Sequence, residues 1–475
     1  MSWSCLPAEI RVLVLEALLQ DDGCSLAGFA IVSREWQMTI ELHNFAHINL
    51  TLSRLADFGP MIHRNRALVR YIWLCLELQE YDCTQCSPHG LEMMGISSTD
   101  NTLITTAFQD LFSMLSTWEP NSNLLLDISV HSPSDSEHWF KYLTFEPDIT
   151  SDECGQINDH QHGWIAGSQN STPSKAGIHK VFDEIMGEGP FNSGEEEDQW
   201  WQQLPLVPEV TGVLLRQQNC QRWKPTALAQ MFARFPRLQE ICYEPWREWC
   251  DIQQEWTDQS FRSLLNRSLL YAIPFMGGFS GCSSISIPTS DVSYAVAKAS
   301  LKLECLSASF IVGTSYFFNA CDPHWKWPNM TSLTLTSHLL TPDESLIEID
   351  NMLQKAAAVA MKMPNLTSME IWNGREGLAM LFRYQPIGEG QPAVLTWRGT
   401  WQFTLRAPIV QAWEAVALKH CIHKSIIVEE VLDAGVVVKS HGDAIHHLKF
   451  LNLVIRPVSL HQIRMEHRIR EGVHD

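Results

Sequence analysis

Cys83-Thr84-Gln85-Cys86, with His89 close behind, is where residue types and spacing come nearest to a metal site, because two thiolates three positions apart can hold one side of a tetrahedral zinc ion. The other side is not visible. No second Cys-x-x-Cys occurs, and His420-Cys421-Ile422-His423 lies far along the chain. The pair therefore reads as free thiols in a loop, and neither a metal nor a cofactor is expected. Gly277-Gly278-Phe279-Ser280-Gly281 lacks the Lys-Ser/Thr ending of a phosphate loop, and Ser280 is not flanked as a hydrolase nucleophile would be. It reads as a flexible turn. The 19 histidines include no HExxH and no recognisable nucleophile–base arrangement, so an enzyme is not expected.

Tryptophan is the more suggestive residue type. Trp and Tyr dominate binding hot spots because each offers a large contact area with one polar atom. Trp200, Trp201, Trp223, Trp246, Trp249, Trp256, Trp325, Trp327, Trp372, Trp397 and Trp401 fall largely in connections beside apolar runs. Of these, Trp223, Trp246, Trp249 and Trp372 are the candidate contacts for a protein substrate, with packing in the core as the other use of each.

The net charge of -20 over 475 residues argues against a nucleic-acid or anionic-membrane partner, since both require clustered Lys and Arg. No run has the length of an uncharged membrane span, and the N-terminus lacks the basic flank of a secretory signal. The 13 cysteines are an odd number without a dense framework, which fits reduced thiols in the cytoplasm or nucleus.

The elements begin with Leu6 to Glu41. Pro7 suits a first helical turn and Glu9 meets the positive end of the dipole. From Ala8 to Leu19 only Glu9, Arg11 and Glu16 interrupt the apolar residues, too few for a helix covered on one side. Asp21-Asp22-Gly23 breaks the pattern. Ser25 then opens a second helix with Leu26, Phe29, Ala30, Val32, Trp36 and Ile40 at three- and four-residue steps. A hairpin this small must either dock on its own chain or offer its spare apolar face to a partner.

These residues resemble the F-box, the motif by which substrate receptors attach to the Skp-family adaptor of cullin-based ubiquitin ligases. The likeness rests on Leu6-Pro7, Glu9-Ile10, Val14-Leu15, Leu18, Leu26 and Val32-Ser33-Arg34-Glu35-Trp36. It implies adaptor contacts at Leu6, Pro7, Ile10, Val14, Leu18, Val32 and Trp36. Arg11 stands where an apolar residue is usual, and Ser33 where Cys is common.

Beyond the hairpin, short strands are expected at His47–Leu50, within Leu68–Leu78 and at Leu124–Val130, with a helix over Asn101–Trp118. Residues 150–203 are rich in Gly, Ser, Asn and Asp and end in Glu195-Glu196-Glu197-Asp198. They read as a loop or disordered insertion, with a short helix near Val181–Met186. The second half carries a weak repeat: Pro208, Pro236, Pro328 and Pro364 are each followed by an apolar residue two on, then by two more at three and five further. Those positions are Val210/Val213/Leu215, Leu238/Ile241/Tyr243, Met330/Leu333/Leu335 and Leu366/Met369/Ile371. Val69/Ile72/Leu74 extends the pattern backwards, and Leu448/Leu451/Leu453 extends it forwards. The first two prolines are 28 residues apart and the last two 36, room for one helix and one strand per unit. Stacked units would form a parallel sheet with helices behind it. Further strands are expected within Ala393–Leu405, at Ile426–Val428 and at Val436–Val438. Helices are expected over Ile409–His420 and Leu460–Ile469.

The repeat is similar to the leucine-rich-repeat class of F-box receptors, without the Asn or Cys that usually closes the strand turn. The Trp-rich loops and insertions are similar to a group of fungal F-box proteins whose substrates are unassigned. Together these likenesses imply an α/β chain: an F-box helical hairpin over residues 1–45, then an irregular leucine-rich-repeat-like solenoid of strand–helix units. Its first units occupy 46–150, the acidic insertion 151–203, and a repeat-like α/β domain with a C-terminal cap 204–475. The implied role is a substrate receptor of an SCF-type E3 ubiquitin ligase, its partners the Skp-family adaptor, the cullin core and an unknown protein substrate. The other reading is an interaction scaffold whose first helices only cap its own solenoid.

Overall fold

A computed structural model describes residue 3 and residues 6–464 except 20–25, 88–95, 121–122, 146–157, 172, 188, 217–218, 245–289, 389–390, 422–424, 434, 458 and 462. Trp246, Trp249, His89, Ser25 and the glycine-rich 277–281 stretch lie outside the described residues. Among the described residues no helix is long and apolar enough to cross a membrane.

The N-terminal segment forms α1 (Ala8–Leu19), a single turn α2 (Ala27–Ala30) and α3 (Arg34–Ala46). The second helix of the expected hairpin is thus split at Ile31–Ser33. Ser33 adopts an extended conformation and its hydroxyl accepts from the Trp36 N–H at 3.4 Å, so it starts α3 rather than continuing α2.

Two sheets follow. In the first, β1 (His47–Thr51), β2 (Tyr71–Glu77), β3 (Leu124–His131), β4 (Val210–Leu215) and β5 (Glu240–Tyr243) lie side by side in chain order, every pair parallel. Parallel neighbours require long crossovers. These contain α4 (Leu52–Ile62), α5 (Ser98–Leu115) and, later, α8 (Pro225–Ala233), with α6 (Lys175–Val181) and α7 (Gly194–Gln203) in the longest connection. One register row runs Ile48, Ile72, Leu126, Val213, Ile241, so the repeat-aligned Ile72, Val213 and Ile241 stand at equivalent places. Their face packs on Phe58 of α4 and on Phe108, Leu111 and Phe112 of α5. The start of α5 is secured by a capping box, the Ser97 hydroxyl accepting from Asp100 N–H at 3.0 Å while Asp100 accepts from the Ser97 N–H.

The second sheet holds β6 (Cys305–Gly313), β7 (Ser332–Thr336), β8 (Ser368–Arg375), β9 (Leu378–Gln385), β10 (Val394–Gly399) and β11 (Ile426–Val431). Leu333 and Met369, again equivalent in the repeat, pair directly. The parallel order is interrupted, because β9 is antiparallel to both neighbours. The chain reverses at Glu376-Gly377, where Gly377 takes φ 72°, a left-handed conformation open to glycine at no steric cost. Helices α9 (Ser290–Ala299), α10 (Thr314–Ala320), α11 (Leu346–Ala360) and α12 (Ala407–Cys421) complete this half; residues of all four join its core. The described residues form a mixed α/β protein with two large sheets, one parallel and one mixed, and two two-stranded ones.

Several expected elements differ. The acidic run does not lie in a loop: Glu195, Glu196 and Glu197 form the first turn of α7, where carboxylates meet the positive end of the dipole, and Ser193 caps it. Trp201 and Leu204 of that region are buried in the core of the first sheet, which draws strands from both sides of residues 151–203. A domain boundary at 203/204 would divide that core. Val181–Met186 is the end of α6 followed by Glu184–Ile185, which pairs with Arg222–Trp223. Leu448, Leu451 and Leu453 form no last repeat strand. Instead α13 (His441–Leu448) ends in Lys449 at φ 53°, and the segment beyond crosses the second sheet. There Asn452 donates to Ser332 and Ser368 at 2.8 Å, and the Leu451 N–H donates to Glu370 at 3.1 Å. These strand residues expose hydroxyls and a carboxylate, and the crossing chain satisfies them. The same tail reaches the end of the first sheet, where buried Glu244 accepts from the Arg456 N–H and the Ser459 hydroxyl.

Candidate functional site

The first site is the helical hairpin. In α1 only Leu15 is buried. Ile10 is 43% exposed, Val14 42% and Leu13 58%, and their three- and four-residue spacing puts them on one face of the helix. Ile31 and Val32, in the turn between α2 and α3, are exposed, as are Met38 and Leu42, which stand one turn apart on α3. Leu6 and Leu18 are half-buried and Pro7 is exposed. Trp36 is half-buried between Trp3 and Phe29, with ring centroids 5.0 and 5.9 Å away. Glu35 ties α1 to α3: it accepts from Trp3 Nε1 at 3.0 Å and pairs with Arg11 at 3.1 Å. Arg11, which departs from the F-box pattern, thus makes an ion pair between α1 and α3, while Leu15 is the buried residue of α1. Ile10, Val14 and Val32, three of the residues expected to touch an adaptor, lie open to solvent.

The tryptophans proposed for substrate contact behave otherwise. Trp223 sits against Phe108 in the first core, and Trp372 is wholly buried, its Nε1 donating to Ser309 at 3.1 Å and its ring against Phe450. Neither can meet a target, because both fill space between a strand and the layer covering it.

The first sheet's other face carries a charged network. Arg216 Nε donates to Asp127 Oδ2 at 2.6 Å, and Tyr71 links both groups, donating to Asp127 at 2.5 Å and accepting from Arg216 at 2.7 Å. Burial pushes the Asp127 carboxyl up against the pull of Arg216, and burial followed by the Asp127 charge raises the Tyr71 phenol. Farther along, His131 stacks on Phe145 at 3.9 Å, and burial lowers its pKa to about 4. Cys75, Glu77 and His131 bring three ligand-type atoms together there. A groove of 570 Å³ between α4 and α5 is lined by Leu52, Ala56, Leu103, Thr106 and Asp110 among others, with no nucleophile–base pair in its lining.

The sequence read Cys83 and Cys86, which have half of a zinc site's spacing, as free thiols in a loop. Two histidines distant in the chain stand beside them in space. The turn at residues 82–87 faces His138, which follows the capped turn Pro133–Ser136 after β3, and His162, which ends the short helix His160–His162. Asp159 caps that short helix, and Gly163 closes it at φ 72°. A Cβ on Gly163 would lie 1.8 Å from the Ser171 hydroxyl, so the turn that presents His162 requires glycine. Sequence reasoning missed these histidines because neither lies near another ligand in the chain. The one local sign was two histidines flanking Gln161 before a glycine.

The described structure is thus an α/β protein with an exposed apolar hairpin and a buried Cys/His cluster. Its C-terminal part is similar to one family: a family model described as "Family of unknown function (DUF6546)" matches residues 251–456. That span includes the whole second sheet and neither the hairpin nor the cluster. No curated protein matches the chain.

Proposed function

We propose that the chain is the substrate-recognition subunit of an SCF-type E3 ubiquitin ligase, acting in the cytoplasm or nucleus. In this reading the helical segment docks on a Skp-family adaptor. The body, a degenerate leucine-rich-repeat-like array, holds a target protein near the cullin-bound conjugating enzyme. The receptor makes and breaks no bonds. By raising the effective concentration of target lysines it makes ubiquitin transfer nearly intramolecular.

The observation that carries the reading is the exposed apolar surface of α1 and of the α2–α3 turn. Ile10, Leu13, Val14, Ile31 and Val32 form no part of a packed core, and the first three share one face of α1; apolar residues gathered on one surface, unlike singly scattered ones, mark a partner site. A hairpin that served only to cap its own solenoid would bury Ile10 and Val14, whereas both are more than two-fifths exposed and lie outside the core of the first sheet.

Co-purification with the adaptor tests the proposal. The wild-type chain should retain it, and Val32→Ala combined with Leu6→Ala or Pro7→Ala should release it. Undiminished capture by these variants would overturn the assignment. Affinity purification with and without the first forty residues separates the two partner classes: proteins lost on deletion belong to the ligase core, and proteins kept in both are targets.

A further inference from the structure

We propose that Cys83, Cys86, His138 and His162 bind a structural zinc ion that fastens the connection between β3 and β4. Their ligand atoms all lie within 4.8 Å of one another, and Cys86, His138 and His162 are buried. Four of the six ligand–ligand distances match the edges of a tetrahedron. Cys83 Sγ stands 3.6 Å from His138 Nδ1 and 3.7 Å from His162 Nε2, Cys86 Sγ stands 3.4 Å from His162 Nε2, and the two histidine nitrogens are 3.3 Å apart. With zinc–sulfur bonds of about 2.3 Å and zinc–nitrogen bonds of about 2.05 Å, the edges of a regular tetrahedron come to roughly 3.6 Å between nitrogen and sulfur and roughly 3.3 Å between nitrogens. Two thiolates and two imidazoles also form a ligand set that selects zinc over harder cations.

The groups around the cluster orient the imidazoles as ligands. His138 Nε2 faces the Tyr81 carbonyl at 3.1 Å, which accepts its N–H and leaves Nδ1 with its lone pair toward the centre. His162 Nδ1 is 2.7 Å from Asp159 Oδ2, leaving Nε2 free in the same way, and Lys141 holds Asp159 at 2.9 Å. Such carbonyl and carboxylate partners on the far nitrogen are a regular feature of metal-bound histidine.

The fold gives the ion a structural purpose. The connection has its own small core of Phe140, Tyr142, Leu143, Trp164, Val181, Phe182 and Cys220, separate from the core of the sheet. A cluster of this size buries too little to hold several turns in place, and small units of this kind are commonly stapled by metal. Three turns distant in sequence meet at the four ligands. Trp139 Nε1 and the Ser174 hydroxyl both donate to the Cys86 carbonyl, locking the thiolate turn to the rest of the lobe. The inference is independent of any adaptor.

Metal analysis of the full chain, purified without chelator, should give one zinc per chain, lost in Cys86→Ser and His162→Ala and kept in Cys305→Ser, which alters an exposed cysteine elsewhere. Asp159→Asn should weaken zinc, titrated as zinc sulfate against a competing chelator, by about 10- to 100-fold. Should the ligand variants fail to fold, cobalt exchanged into the wild-type chain gives a second reading, with the intense visible bands and sulfur charge transfer of a tetrahedral S₂N₂ site. Zinc content unchanged in Cys86→Ser and His162→Ala would overturn the proposal. So would an octahedral cobalt spectrum, or a metal-free native chain carrying a Cys83–Cys86 disulfide.

Discussion

Replacing Ile10 and Val14 together by alanine separates a partner surface from an internal one. Full burial of an Ile or Val side chain contributes about 1.5–3 kcal/mol. With 43% and 42% of these residues exposed, roughly half of that remains for a partner, about 1 kcal/mol at each position. The double variant should therefore bind a Skp-family adaptor about 30-fold more weakly, the equivalent of about 2 kcal/mol. The free chain should lose less than with Leu15→Ala, because both side chains are only partly covered there. Leu15→Ala is the contrasting change: Leu15 is 2% exposed, and its truncation should cost about 2–5 kcal/mol of hairpin stability. Titration calorimetry against the purified adaptor, with thermal unfolding of each free variant, reads both quantities. The reasoning fails if the double variant binds as tightly as wild type, or if it melts like Leu15→Ala.

Three further outcomes follow from the body of the protein. Arg216→Met should destabilise the chain by about 3–5 kcal/mol in denaturant unfolding, because Asp127 keeps its buried carboxylate without that counter-charge, and Arg216→Met with Asp127→Leu should recover most of the loss. Trp372→Ala should cost about 3–5 kcal/mol in the same assay while leaving target capture by the surviving folded chain intact, since the ring is interior. The third concerns His131, whose folded pKa of about 4 lies below the ordinary 6.5, so the unfolded chain binds the extra proton first. Its contribution is full above pH 6.5 and is lost as pH falls toward 4, on the order of 3 kcal/mol in all. The stability gap between wild type and His131→Phe should shrink over that window, and a pH-independent gap would refute it.

Much of the strand pattern was legible because it is local. Val213, Ile241, Leu333 and Met369 were aligned by a proline and a short apolar spacing, and in the sheets they fall in register with their neighbours. β9 was not legible. Leu378 to Leu381 are buried on both faces, so the run has no alternation to mark a strand between two others. The acidic run was misplaced in a loop: three of its four carboxylates are exposed, as the composition suggested, but Ser193 and the helix dipole make the run the opening turn of α7.

Sequence alone determined that α1 carries more apolar surface than a short helical hairpin can hide, because counting side chains on a helix needs no partner. It also determined most strand positions, whose side-chain period is written into adjacent residues. Only tertiary structure decided that Trp223 and Trp372 face inward, that the tail after α13 covers the second sheet, and that His138 and His162 meet Cys83 and Cys86. Burial and ligand geometry depend on distances between residues far apart in the chain, and those distances exist only once the layers have packed.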